Sequence, residues 1–215
     1  MRSRGKFLPL VPASPVQEAL PALETWLDSE GPKDVLAIGP LTNIALAYQA
    51  FPDKLQRLRT LTWMGGSRAR GNHTEHAEYN AFADADALST VLQHGAPLWV
   101  VDLELCRQVS FGPADMPTIE DRLLADLLGG YLDIALSRGR QQMAIYDPIA
   151  SLAVIKPSLI KFQRVNLSVH TENDSQYGKT EFNLEQPANA LIGTSVDTKI
   201  SLEVCMKALE QRKNR

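Results

Sequence analysis

The chain is predicted to be an α/β protein: an open, mostly parallel sheet flanked by helices. Three observations carry this. Short apolar runs of strand length alternate with helical patterns along the sequence, and such alternation implies parallel strands joined by right-handed helical crossovers. Apolar residues make up 44% of the chain and charged residues 22%, enough for a packed core and unlike a disordered or collagenous composition. The 215 residues correspond to one domain at roughly 100 to 200 residues each.

The elements follow in order. Residues 16–29 fit a helix. Residues 33–38 form an apolar run that ends at Gly39-Pro40, and 41–51 continue at helical spacing. That is a strand, a tight turn and a helix. The unit recurs with a strand at 58–64 and a helix at 84–94, capped by Asp84 and stopped by Gly95. Residues 97–103 supply a third strand, and helical patterns cover 119–128 and 148–154. Residues 162–169 alternate like a half-exposed strand, and 190–196 fit a further one. Asp197 then caps a closing amphipathic helix from 198 to about 212, whose basic end suits the helix dipole. In such a sheet, ligands bind beyond the carboxyl ends of the strands.

Charge and composition exclude several functions. Lys plus Arg is 22 against 25 for Asp plus Glu, a net charge of −3, which leaves no electrostatic footprint for nucleic acid or anionic lipid. The longest apolar runs, 97–103 and 148–155, fall short of the roughly 20 residues that span a bilayer. The basic stretch 1–6 is followed by Pro9, Pro12 and Pro15 before an apolar signal segment could form, so a cytoplasmic protein is expected. Cys106 and Cys205 show no metal or redox spacing and are expected to be reduced, buried thiols.

The segment with the most chemistry is 64–80, MGGSRARGNHTEHAEYN, a polar loop after a strand's carboxyl end. It reads either as a solvated connection or as a binding loop. Glu78 and Asn80 fall outside any apolar pattern, so they are expected to serve a ligand and to matter little for stability. Asp147, in Tyr146-Asp147-Pro148, can be read as a helix N-cap or as a ligand for a hard cation. Asp84-Ala85-Asp86 looks like a carboxylate pair, but its place at a helix start makes it a cap. Residues 39–43 lack the spacing and lysine of a phosphate loop, and His94 and His170 stand alone.

Taken in order, IGPLTNIA at 38–45, MGG at 64–66, Gly71-Asn72 with AEYN at 77–80, and YDPIA at 146–150 resemble the inosine-uridine preferring nucleoside hydrolase family. YGKT at 177–180 resembles a late loop of that family. The resemblance implies hydrolysis of the N-glycosidic bond of ribonucleosides in nucleoside catabolism, with a bound Ca²⁺ holding the attacking water and the ribose hydroxyls. It implies that Asn72, Glu78 and Asn80 grip the ribose and that Met64 packs near it. It further implies that Asp147 and the backbone carbonyl of Ile38 ligate calcium. Tyr146 stands where many members place a histidine that protonates the leaving base; with a usual pKa of about 10, a tyrosine is the weaker acid near neutrality.

The family's opening D-x-D-x-x-x-D-D motif has no counterpart in residues 1–33. The chain is therefore expected to be truncated: a single domain over 1–215 without the first strand and the aspartate motif, with sheet edges left unpaired. Glu75 or Asp102 are the carboxylates that could replace the missing ones. The alternative reading is a degenerate, non-catalytic relative that binds a nucleoside or a partner chain. A ribonucleoside is the expected partner, nucleic acid and membrane are not, and a homo-oligomer is left open.

Overall fold

The computed structural model describes residues 18–211. The basic stretch 1–6, the three prolines and the end of the last helix beyond 211 lie outside them. In chain order the strands are β1 (Lys33–Ala37), β2 (Leu58–Met64), β3 (Leu98–Val101), β4 (Ser110–Phe111), β5 (Met143–Ala144), β6 (Ile160–Val169), β7 (Thr180–Asn183) and β8 (Ala190–Val196). The helices are α1 (Ala19–Asp28), α2 (Thr42–Ala50), α3 (Pro52–Leu55), α4 (Tyr79–Ala83), α5 (Ala85–Gln93), α6 (Leu103–Cys106), α7 (Arg122–Ser137), α8 (Asp147–Ile155) and α9 (Thr198–Glu210).

The main sheet has the order β1-β2-β3-β8-β6-β7. The first four strands are parallel, while β6 runs antiparallel to β8 and β7 antiparallel to β6. The sheet is thus mixed and mostly parallel. Among the described residues β1 pairs with β2 alone and forms one edge.

The pleat divides the core between the two faces, because successive strand side chains point in opposite directions. Leu61 and Trp63 of β2, Leu98 and Val100 of β3, and Val165 and Leu167 of β6 face a cluster that α1, α2 and α5 cover. Met64, Val101, Ile160 and Val196 join a second cluster with α6, α7, α8 and α9. Each large side chain buried this way contributes about 1.5–3 kcal/mol.

Local signals hold at most element ends. Asp84 accepts from the Ala87 N–H at 2.9 Å, and Gly95 follows α5 with a φ of +67°. Asp197 caps α9 through the Ile200 N–H at 3.0 Å. Several boundaries differ from those expected, three of them with a physical cause near the site or in the core. The third strand stops at Val101 because Asp102 turns the chain and caps α6 through the Leu105 N–H. Helix α7 starts at Arg122 and runs to Ser137, beyond the expected end at 128. Burial of Leu132 and Ala135 offsets the roughly 1 kcal/mol that each of Gly129 and Gly130 costs a helix. Finally, α8 begins at Asp147 with Tyr146 at the N-cap position, so the Asp147 carboxylate is not a cap.

Candidate functional site

The carboxyl ends of the parallel strands open onto a cavity of about 840 Å³. Ile38, Met64, Asn72, Glu78, Asn80, Tyr146 and Asp147 all line it. Four segments far apart in sequence therefore meet at the edge of the sheet where ligands bind. Ile38 follows β1, Met64 ends β2, Tyr146 and Asp147 stand at the start of α8, and Asn72, Glu78 and Asn80 come from the 64–80 loop or the start of α4.

That loop is not a solvated connection. Glu78 is 2% exposed, and its carboxylate accepts the N–H groups of Gly66 (3.0 Å), Asn80 (2.9 Å) and Ala81 (3.1 Å). It caps α4 and ties the loop's end to its beginning. Asn80, also buried, donates from Nδ2 to the Met64 carbonyl at 2.9 Å. The expectation that Glu78 and Asn80 matter little for stability is therefore corrected. A polar residue outside an apolar pattern can still be buried when backbone donors and acceptors surround it. Asn72 stays exposed and accepts the Tyr79 N–H at 2.9 Å. Gly71 has no room for a side chain, because a Cβ there would lie 2.1 Å from the Ala77 carbonyl oxygen.

The loop's root is fastened from below. Arg68 forms a two-pronged ion pair with Asp102, at 2.7 Å from Nε and 3.0 Å from the terminal nitrogen, and Asp102 is wholly buried. Glu104 accepts the Arg68 N–H at 2.7 Å and the Ser67 hydroxyl. The Thr180 hydroxyl accepts the Ser67 N–H at 2.9 Å and donates to the Ser67 carbonyl at 3.1 Å. The late loop at 177–180 is thus part of the site's scaffold. Sequence reasoning singled out Asp102 and the 177–180 loop for other reasons and missed the pairings themselves, since nothing local marks a contact across 113 positions.

The opposite wall is different. Asp147 is exposed to the cavity, and among the described residues its carboxylate receives no hydrogen bond. Ile38 is 52% exposed. Beyond them the cavity is apolar, lined by Phe111, Leu128, Tyr131, Ile145 and Met206. Burial pushes the Glu78 carboxyl up, the three N–H donors pull it back down, and the nearby Asp147 charge adds to the rise. Desolvation raises Asp147 as well. Burial raises Asp102 too, against the pull of Arg68 and the Leu105 N–H.

For a hard cation, the donor type here is right and the donor count is not. Asp147 and the Ile38 carbonyl offer two oxygens where Ca²⁺ takes roughly six to eight, and Glu78 already serves three N–H groups. Asp102 is committed to Arg68 and to the Leu105 N–H, so it does not stand in. The described residues do not make a calcium site by themselves. Both cysteines are free and buried, as expected; burial lifts the Cys205 thiol to about 11 and Cys106 well above its usual value. His94 stacks on Tyr48, and His170 pairs with Asp174 at 3.0 Å.

The fold and cavity define an open α/β protein with a polar grip facing an apolar wall, and the comparisons give that class a family. A sequence model described as inosine-uridine preferring nucleoside hydrolase matches residues 6–203. The chain belongs to this family. It is 30% identical over 187 residues to the pyrimidine-specific ribonucleoside hydrolase RihB of Escherichia coli, covering 82% of this chain and 60% of that one. A RihB protein of Shigella boydii matches equally over 77% of its length. Among solved structures, a plant nucleoside hydrolase superposes with a TM-score of 0.85 at 19% identity, covering 98% of this chain and 72% of its own. The purine-preferring ribonucleoside hydrolase of Gardnerella vaginalis gives 0.84 at 22% identity, covering 96% and 70%.

Proposed function

We propose that the protein acts in the hydrolysis of the N-glycosidic bond of ribonucleosides, releasing base and ribose. The supporting observation is the convergence of Asn72, Glu78, Asn80, Tyr146 and Asp147 on one cavity at the carboxyl end of the sheet. The reaction builds positive charge on the ribosyl ring, and a fixed carboxylate beside the ring stabilises that charge without reorganising. Glu78 is held for this role. A carboxylate has about four acceptor positions, three of which the backbone fills, leaving one for a sugar hydroxyl. Asn80 spends its Nδ2 on Met64 and keeps Oδ1 for a second hydroxyl. Asn72 closes over the sugar from the exposed side, and Met64 supplies the floor.

Asp147 and the Ile38 carbonyl are the oxygens offered to a cation or to the attacking water, and Tyr146 is the group beside the leaving base. The two free, buried cysteines are compatible with a reducing compartment such as the cytoplasm; no described helix is long and apolar enough to cross a membrane.

The test is a reducing-sugar assay on the purified chain with inosine and with uridine, beside calorimetry of the same nucleosides. Release of ribose with either supports the reading. Nucleoside binding with no turnover assigns the chain to the non-catalytic relatives, and no binding of either overturns the reading.

A further inference from the structure

We propose that Arg68 and Asp102 are positioning residues for the sugar-gripping carboxylate, acting through the backbone of Gly66. This rests on the proposed nucleoside site. Neither residue lines the 840 Å³ cavity, yet both are tied to a part that does. Gly66 is the shared joint. Its N–H donates to Glu78 Oε2 at 3.0 Å, and its carbonyl accepts the Leu103 N–H at 3.1 Å. Leu103 directly follows Asp102, and Arg68 lies two residues after Gly66. The Gly65 N–H also donates to the Val101 carbonyl at 3.2 Å, so the end of β3 grips the loop root on both sides of the joint.

The joint is a place where the backbone needs an external hold. Gly66 has a φ of +75°, a conformation that glycine adopts freely and leaves as freely. The backbone bonds to Val101, Leu103, Thr180 and Glu104 hold the joint, and the ion pair adds the side-chain restraint: two parallel N–H to oxygen bonds fix the angle of the Arg68 side chain as well as its distance. Asp102 is wholly buried and also accepts the Leu105 N–H at 3.0 Å, so the carboxylate cannot follow Arg68 if the loop moves. Rotation at Gly66 would swing its N–H away from Glu78 and release the carboxylate that meets the sugar.

A loosened grip has its own kinetic signature. Loss of a carboxylate that holds the sugar and meets the developing charge weakens binding and lowers kcat/KM, so KM and Kd rise along with the loss of rate. Loss of folded protein alone lowers apparent kcat and leaves KM where it was. Three variants separate the two. Asp102→Asn keeps an acceptor for the Leu105 N–H but removes the charge; Arg68→Met removes the fork; Arg68→Lys keeps the charge without the two-pronged geometry.

The experiment measures inosine turnover, inosine affinity by calorimetry and thermal unfolding for the full chain and each variant, below the lowest melting temperature. The expected result is a fall of about tenfold or more in kcat/KM for Asp102→Asn and Arg68→Met, with KM and Kd for inosine raised by about threefold or more, and partial rescue of both in Arg68→Lys. Variants that melt earlier but keep the parent KM and Kd overturn the proposal and leave the nucleoside site standing; if the first two do not fold, an unchanged KM and Kd in Arg68→Lys does the same. A parent chain that binds and hydrolyses no nucleoside overturns both.

Discussion

Glu78 and Asp147 are carboxylates of the same cavity, close enough for the charge of one to raise the pKa of the other, yet their surroundings differ in kind. Glu78 is 2% exposed with three backbone donors around it, whereas Asp147 is exposed to the cavity and receives none among the described residues. One wall is finished by the chain's own backbone, and the other holds oxygens still available to a ligand. Two acidic residues to which the family resemblance gives a sugar contact and a cation contact thus differ in how much of their bonding lies inside the chain. A group whose partners are internal stabilises the fold. A group whose partners must come from outside keeps its interaction energy for the ligand.

Breaking the finished wall should give the largest effect. Glu78→Ala leaves the N–H groups of Gly66, Asn80 and Ala81 without their acceptor, a loss of about 2–4 kcal/mol. That corresponds to about 5–15 °C in melting temperature for a domain of this size, read by circular dichroism. A drop under about 1 kcal/mol would mean that the loop holds without its cap. Asn80→Ala should cost less, about 1–2 kcal/mol, for the single bond to the Met64 carbonyl.

The open wall should answer in the opposite way. Asp147→Asn is expected to change stability by no more than about 0.5 kcal/mol, while turnover of inosine falls by about 100-fold or more. Equal losses of stability in Asp147→Asn and Glu78→Ala would erase the distinction between the walls.

A pH series sharpens the comparison further. Glu78 and Asp147 both have folded pKa values above their ordinary 4.5 and 3.8. Their contribution to stability is therefore fully present below those ordinary values and is lost as pH rises through the raised folded ones. Melting temperature plotted from about pH 4 to about pH 7 should show this decline, and Asp147→Asn should flatten it. The smallest effect concerns calcium. With two oxygens on the open wall, addition of about 1 mM Ca²⁺ should raise the melting temperature by less than about 2 °C. A larger shift would show that further donors join Asp147.

Much of this architecture was readable from residue order. The run 58–64 is a strand to the residue and 190–196 likewise, because strand patterns are local. The caps at Asp84 and Asp197 were legible for the same reason: a cap bonds an N–H only three residues away. The members of the cavity were legible too, through spacing shared with a known family. Less legible was what each member does for the fold. Asp147 looked like a cap and is not one, since the helix begins one residue earlier than the proline suggested. The apolar wall around Tyr131 and Met206 was hidden inside helices whose periodicity also serves an ordinary core.

Periodicity, turn residues and caps act over a few positions, so the linear chain already contained the alternation of strands and helices, the division of the core into two faces and the end of the sheet where a ligand would sit. The satisfaction of buried polar groups acts through space and has no such linear trace. Arg68 reaches Asp102 across 34 positions and Ser67 reaches Thr180 across 113. Folding alone made Glu78 a buried cap and left Asp147 open, because the energy of a hydrogen bond depends on which atoms come within about 3 Å of each other.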